Sequence, residues 1–157
     1  MLPPNVEHSA ASEFDKGANM ELKEAIYTRR GVREFTSQPV DLTTIRELIE
    51  AAVWAPSAVN EQPWIFSVVR DRAILDYISD ESKAYMLRHP PRGIRPQDIL
   101  ELTNNPQFNI FYHAPLLIVI SSVTENQWMI ENCSLAAENL MLLACAAGLG
   151  TCWIGFA

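Results

Sequence analysis

Three arginines within five positions, Arg29, Arg30 and Arg33, surround Gly31. A guanidinium is a rigid fork of donors that matches phosphate oxygens, and a glycine beside it lets the backbone approach a bound group closely. The cluster reads either as a phosphate site or as the charged end of a helix, its cations offsetting the dipole and pairing with Glu24 or Glu34. A second polar group lies in Ala55-Pro56-Ser57-Ala58-Val59-Asn60-Glu61-Gln62-Pro63-Trp64. Asn60 and Gln62 each carry a donor and an acceptor, which can match the imide edge of a planar heterocycle. Turn chemistry accounts for the Pro, Ser and Asn without any ligand. The third group is Gly148-Leu149-Gly150-Thr151-Cys152-Trp153-Ile154-Gly155. Its glycines follow a predicted helix and precede a predicted strand, the reverse of a dinucleotide fingerprint. Gly155 either lets backbone N–H groups reach a cofactor or makes a simple turn.

No side chain presents itself as a nucleophile. His8 falls in an aperiodic N-terminal stretch, His89 in a proline-rich one, and His113, between Tyr112 and Ala114-Pro115, reads as a structural histidine. There is no G-x-S-x-G, H-E-x-x-H, C-x-x-C or phosphate-loop motif. Cys133, Cys145 and Cys152 are too few and too unevenly spaced for a disulfide framework or a zinc site and read as buried thiols of a reducing compartment. The sequence thus offers no catalytic side chain and no metal-ligand set. Phosphate and heterocycle contacts without a nucleophile or base point to a cofactor that performs the reaction itself.

The elements that must position these groups follow from periodicity. From Met20 the apolar positions Leu22, Ala25 and Ile26 share one helical face, and the segment ends in Arg29-Arg30-Gly31, with the glycine as the expected cap. Thr44 and Glu47 form a predicted capping box for a helix with Ile45, Leu48, Ile49, Ala52 and Val53 on one face. A loop over residues 54–63 feeds a predicted strand at 64–69, then a short helix at 71–78. Residues 79–111 lose their period around His89-Pro90-Pro91-Arg92-Gly93, with a short helix at 97–102, and read as an irregular cover. A second strand is predicted at 116–120, buried on both faces, and a long helix at 127–147 closed by Gly148. The second half of that helix is apolar on every side, so it must be central, either wrapped by its own chain or shared with a second subunit; a homodimer is the expectation. A third strand is predicted at 151–154. This order supports an α+β or three-layer fold with a small sheet.

The chain of 157 residues, 48% hydrophobic and 20% charged, suits one compact domain. Its net charge of −7 repels nucleic acid, so an anion site must be a local cluster of cations. Residues 1–19 read as a mobile extension without signal-peptide character, and no apolar run reaches the length of a membrane span, so a soluble cytoplasmic protein is expected.

Together the three segments, with Phe111-Tyr112-His113-Ala114-Pro115, resemble the nitroreductase family of FMN-dependent flavoproteins, over residues 20–156. The resemblance implies an α/β/α sandwich with a small mixed sheet and a long central helix at a homodimer interface. It implies that Arg29 and Arg30 hold the FMN phosphate, with Gly31 beside them where the family often has serine, and that Arg33 lies toward the flavin N1–C2=O edge. Asn60 would hydrogen-bond the isoalloxazine, with Gln62 as the weaker candidate. Pro56, Ser57 and Ala58 would line the flavin bound mainly by the other subunit, and Trp153, Ile154 and Gly155 would lie along its edge. The implied reaction is ping-pong, from NAD(P)H through FMN to a nitroaromatic, a quinone or a similar acceptor. Reductive dehalogenation, flavin-ring fragmentation, and a flavin-binding or oligomerisation module without turnover are the alternatives. Family members continue past the position of Ala157 with a further strand and an arm over the partner, and that arm is not within these 157 residues.

Overall fold

The computed structural model describes residues 20–90, 93 and 95–155. The expected N-terminal extension and His8 lie outside them. The elements, in chain order, are α1 (Leu22–Thr28), α2 (Leu42–Val53), β1 (Trp64–Val69), α3 (Arg72–Arg88), α4 (Pro96–Asn104), β2 (Leu117–Ser122) and α5 (Met129–Ala146). The two strands pair antiparallel, with Trp64 opposite Ser122 and Val69 opposite Leu117. Alternate side chains of a strand point to opposite faces, and here they enter two separate cores. Trp64, Phe66 and Ile118 pack on Leu48, Ala52, Ala55, Ala136, Leu140 and Ala144 of the α2–α5 layer. Val69 and Leu117 turn the other way, onto Leu75, Met86, Ile99, Ile110 and Phe111 of the α3–α4 layer. The result is a three-layer arrangement with the sheet in the middle. Among the described residues, no helix is long and apolar enough to cross a membrane.

Helix α5 is central, as its composition requires. Asn132, Ala136, Leu140 and Ala144 recur every four residues as its buried stripe, and Ala52, Ala136 and Ala144 are fully buried, so small side chains let α2 and α5 approach closely. Asn139 Nδ2 donates to Ala51 O at 3.1 Å and ties the two helices further. At the C-terminal end Gly148 adopts φ +73°, Leu149 N donates to Ala144 O at 2.8 Å and Gly148 N to Cys145 O at 3.0 Å. That is a Schellman motif with the expected glycine at its left-handed position.

Several expectations are corrected. Helix α2 is capped by Asp41, whose carboxylate accepts from Thr44 N at 2.9 Å and Thr44 Oγ1 at 2.7 Å, so Thr44 lies inside the helix and pairs backward, not forward to Glu47. Helix α3 does not stop at Ile78 but runs to Arg88, and α4 follows, so the irregular cover is largely a helical pair. Ser79 hid that helix: it is fully buried, and its hydroxyl accepts from Ile110 N at 3.0 Å, so a polar residue occupies a core position. No third strand forms at 151–154, because Thr151 finds a neighbour only for one isolated parallel bridge, with Gly31. The mixed character of the sheet is confined to that bridge. Neither face of β2 is fully buried, and the three cysteines are half-buried free thiols, with burial pushing the Cys133 thiol up.

Candidate functional site

Ala25 is buried and seats α1 against α5, which carries the following arginines to the C-terminal end of the long helix. Gly31 does not cap α1. The C-cap is Arg29, whose N–H donates to Ala25 O at 2.9 Å, and the chain leaves it extended, at φ −52° and ψ 131°. Gly31 then bridges to Thr151, and Val32 N donates to Thr151 O at 2.9 Å. This bridge puts the first and third motifs, far apart in sequence, into one wall. Arg29 and Arg30, with Thr28, Val32, Cys145 and residues 148–151, line a cavity of about 300 Å³. Arg30 spends one terminal nitrogen on Tyr27 O and Arg29 O, at 2.9 and 2.7 Å. Arg29 stands 3.9 Å from Glu138 of α5, a partly exposed pair of small energetic weight, and the anticipated pairing with Glu24 or Glu34 is not made. Most guanidinium donors of the corner are therefore still available.

Arg33 is ordered by different means. Its Nε donates to Tyr112 Oη at 3.2 Å, and its central carbon lies 5.8 Å from the Tyr112 ring centroid. The Tyr112 hydrogen bond, followed by the charge of Cys152, raises the guanidinium above its ordinary pKa, so Arg33 stays cationic. A Cβ placed on Gly31 would meet only Arg33 Nη1, at 3.9 Å, an ordinary van der Waals contact, so the guanidinium lies beside the glycine.

The loop before β1 is built from strained backbone. Val59, Asn60 and Gln62 have φ of 49°, 56° and 52°, a region costing a non-glycine residue about 1–3 kcal/mol. What over-determines it is a set of local bonds. Asn60 N donates to Ser57 O and Gln62 N to Ser57 Oγ, both at 3.0 Å, and Ala58 N donates to Asn132 Oδ1 at 3.0 Å. Asn126 Nδ2 donates to Glu61 Oε2 at 2.9 Å. Ser57 is thus consumed by loop architecture, while among the described residues the side-chain amides of Asn60 and Gln62 make no hydrogen bond. Pro56 is exposed and Ala58 half-buried in the same bend.

Among the described residues, the cation corner and the amide loop share no hydrogen bond or ion pair, and their anchors on α5 are far apart. The loop is pinned at Asn132, whereas α1 packs beside Cys145, thirteen residues further along α5 and ~20 Å away at the rise of an α-helix. Trp153 is 58% exposed beyond the Gly31–Thr151 bridge, Ile154 packs onto the second core, and nothing lies within 4 Å of a Cβ built on Gly155. His113 engages both ring nitrogens, Nδ1 with Arg72 Nη2 and Nε2 with Gln107 O at 3.3 Å. Because arginine can only donate, Nδ1 accepts and Nε2 carries the proton, which is the structural role expected of it.

Two positions escaped the sequence reading. Asn132 is 2% exposed, and its Nδ2 has no hydrogen-bond partner among the described residues while Oδ1 holds the loop. Its signal was the four-residue stripe with Ala136, Leu140 and Ala144, in which it is the polar member. Tyr112 carried no periodic signal at all, since it occupies a left-handed bend at φ 53°.

Comparison with known proteins supplies the context. The model of the nitroreductase family matches residues 26–157. A Methanothermobacter thermautotrophicus protein named "Putative NADH dehydrogenase/NAD(P)H nitroreductase" is 31% identical over 144 residues, covering 89% of this chain and 63% of the relative. The chain thus spans less than two thirds of that relative's length. Rat iodotyrosine deiodinase 1 is 34% identical over 107 residues, 65% of this chain and 37% of that protein. The crystal structure of a Bacteroides fragilis nitroreductase with bound FMN superposes with a TM-score of 0.77 at 26% identity, covering 86% of this chain and 70% of that one.

Proposed function

The chain belongs to the nitroreductase family, and on that premise we propose that it is an FMN-dependent oxidoreductase that takes a hydride from NAD(P)H and reduces a nitroaromatic, quinone or similar acceptor in a ping-pong cycle. Bound FMN would supply the redox chemistry, and the protein binds, orients and tunes it. The observation that carries the reading is the wall made by the Gly31–Thr151 bridge, with Arg29 and Arg30 lining the cavity beside it and the Arg33 guanidinium next to Gly31. The donor set suits a phosphate: Arg29 and Arg30 retain unspent N–H groups beside a cavity. Arg29 and Arg30 would hold the phosphate, and Arg33 would face the flavin N1–C2=O edge, where a held cation favours the reduced, anionic form. Asn60 and Gln62 would supply amides to the ring, Pro56, Ser57 and Ala58 its lining, and Trp153, Ile154 and Gly155 its edge.

The same geometry argues for a homodimer. The loop is anchored at Asn132 and α1 beside Cys145, toward opposite ends of α5, and the two groups make no hydrogen bond or ion pair with each other among the described residues, so a site in one chain is incomplete. A second copy related by a twofold axis across α5 sets the loop end of one helix beside the corner end of the other. Ile130 at 68% exposed, Val59 at 97% and Trp54 at 67% offer apolar surface to such a neighbour.

Titration of the purified protein with FMN, followed by anaerobic NADH or NADPH, tests the reading. Retained yellow colour, bleaching by the nucleotide and recovery on adding a nitroarene or quinone are the expected results. Colour without bleaching means a binding module, and a folded protein that takes up no FMN refutes the reading. The deiodinase relative favours one second reaction, reductive dehalogenation, which the same reduced protein tests when a halogenated phenol replaces the nitroarene.

A further inference from the structure

A bend at residues 109–114 is clamped far more tightly than a connector needs. Tyr112 and His113 are consecutive left-handed residues, at φ 53° and 57°, with no glycine to relieve either. The bend is closed by Tyr112 N donating to Asn109 O at 2.8 Å and Ala114 N donating to Phe111 O at 2.9 Å. Asn109 is buried and bonded on both sides, its Oδ1 accepting from Phe111 N at 2.9 Å and its Nδ2 donating to Asp76 Oδ1 at 3.0 Å. Arg72 grips the outer side, donating to His113 O at 3.0 Å, to His113 Nδ1, and to Asp76 Oδ2 at 3.0 Å. Ile110 and Phe111, 1% and 3% exposed, anchor the bend in the core beneath α3. With its neighbours fixed on every side, the Tyr112 ring has one direction left, outward to Arg33. The two residues are 79 positions apart in sequence, and their contact ties the bend to the cation corner.

We propose that Tyr112 is a positioning residue for Arg33: the clamped bend presents the phenol so that it accepts the Nε–H and offers its ring face to the cation, leaving both terminal nitrogens of Arg33 for the electron-rich edge of a bound flavin. This rests on the flavin reading above and deepens it. An exposed arginine samples many rotamers, and one already held by an acceptor and an aromatic face pays less ordering entropy when a ligand arrives. A preorganised cation favours the flavin state in which negative charge has developed, so Tyr112 acts on the difference between the two oxidation states more than on binding as such.

The test is a double-mutant cycle read by potential. Tyr112→Phe, Arg33→Ala and the double variant are loaded with FMN, and the affinities for oxidised and reduced flavin and the two-electron midpoint potential are measured. Tyr112→Phe keeps the ring and removes the acceptor. It is expected to weaken reduced FMN about tenfold relative to oxidised FMN, a fall of ~30 mV in the two-electron midpoint. In the Arg33→Ala background the same substitution should change nothing further. Arg33→Lys, which keeps the charge but loses the fork and its Nε, should lower the potential comparably. An unchanged midpoint in FMN-loaded Tyr112→Phe, or an equal fall with and without Arg33, overturns the tyrosine's role and leaves the flavin reading intact. A wild-type protein that takes up no FMN overturns both.

Discussion

Gly150 is where the fold and the candidate site are most tightly coupled. A Cβ built there would lie 2.9 Å from Val32 Cγ1 and 3.0 Å from both Val32 Cβ and Cγ2. Rotation of the valine does not relieve this, because its Cβ is one of the crowded atoms and is fixed to the backbone. Gly150→Ala must therefore push residues 149–151 away from residues 31–33, at the hydrogen bond from Val32 N to Thr151 O. Overpacking of this kind costs about 1–3 kcal/mol, and loss of the backbone bond about 1 more. With a urea slope of about 2 kcal/mol/M, the unfolding midpoint should fall by about 1–2 M. FMN affinity should fall with it, since Arg29–Arg33 and Trp153–Gly155 ride on opposite sides of that bond. Gly31→Ala is the control, because its Cβ meets only Arg33 Nη1, at 3.9 Å, and Gly31 is not in the left-handed region. Its stability should match wild type within about 0.5 kcal/mol, a urea midpoint shift of at most about 0.25 M. A Gly150→Ala protein as stable as wild type, or a Gly31→Ala protein destabilised equally, would show that the two segments are not in contact as described.

Arg29→Ala removes a charge-assisted phosphate contact worth about 1.5–3 kcal/mol and should weaken FMN accordingly in a fluorescence titration, with the fold intact by circular dichroism. Leu140→Ala opens a cavity where α5 meets α2, and the expected loss of about 2–5 kcal/mol is read from urea unfolding. Bonds from the Thr44 backbone and hydroxyl hold the Asp41 carboxyl below its ordinary pKa, so the ionised cap stabilises the fold above the unfolded carboxylate's pKa and that contribution fades as pH falls through the depressed folded value. Asp41→Ala should therefore be less stable than wild type at neutral pH and converge on it in acid, as measured by thermal unfolding across that range.

The local pattern carried much of this protein. Residues 64–69 are a run of β-formers and form a strand with those bounds, Gly148 closes α5 in a left-handed turn, and α5 is central because its second half has no polar side to turn outward. Those features are properties of neighbouring residues, so a linear reading reaches them. Where a polar residue was buried with a distant partner the reading failed. Ser79 looked like the end of a helix because its hydroxyl's acceptor role for Ile110, 31 positions away, is invisible in sequence. Strand-like residues at 151–154 found one bridging neighbour and formed no strand, since strand formation needs a pairing edge as well as propensity.

The candidate site divides the same way. Residue types alone marked the arginines and the amide loop, because a guanidinium cluster in an acidic chain and paired amides between prolines each state a chemistry. What only tertiary structure decided is where they stand: the arginines joined to residues 148–152 through one backbone bridge, Arg33 held by Tyr112, and the amide loop pinned to the far end of α5. The physical reason is that propensity and charge act over a few residues, whereas the length of α5 and the packing on it set distances of ~20 Å between groups that no local preference relates.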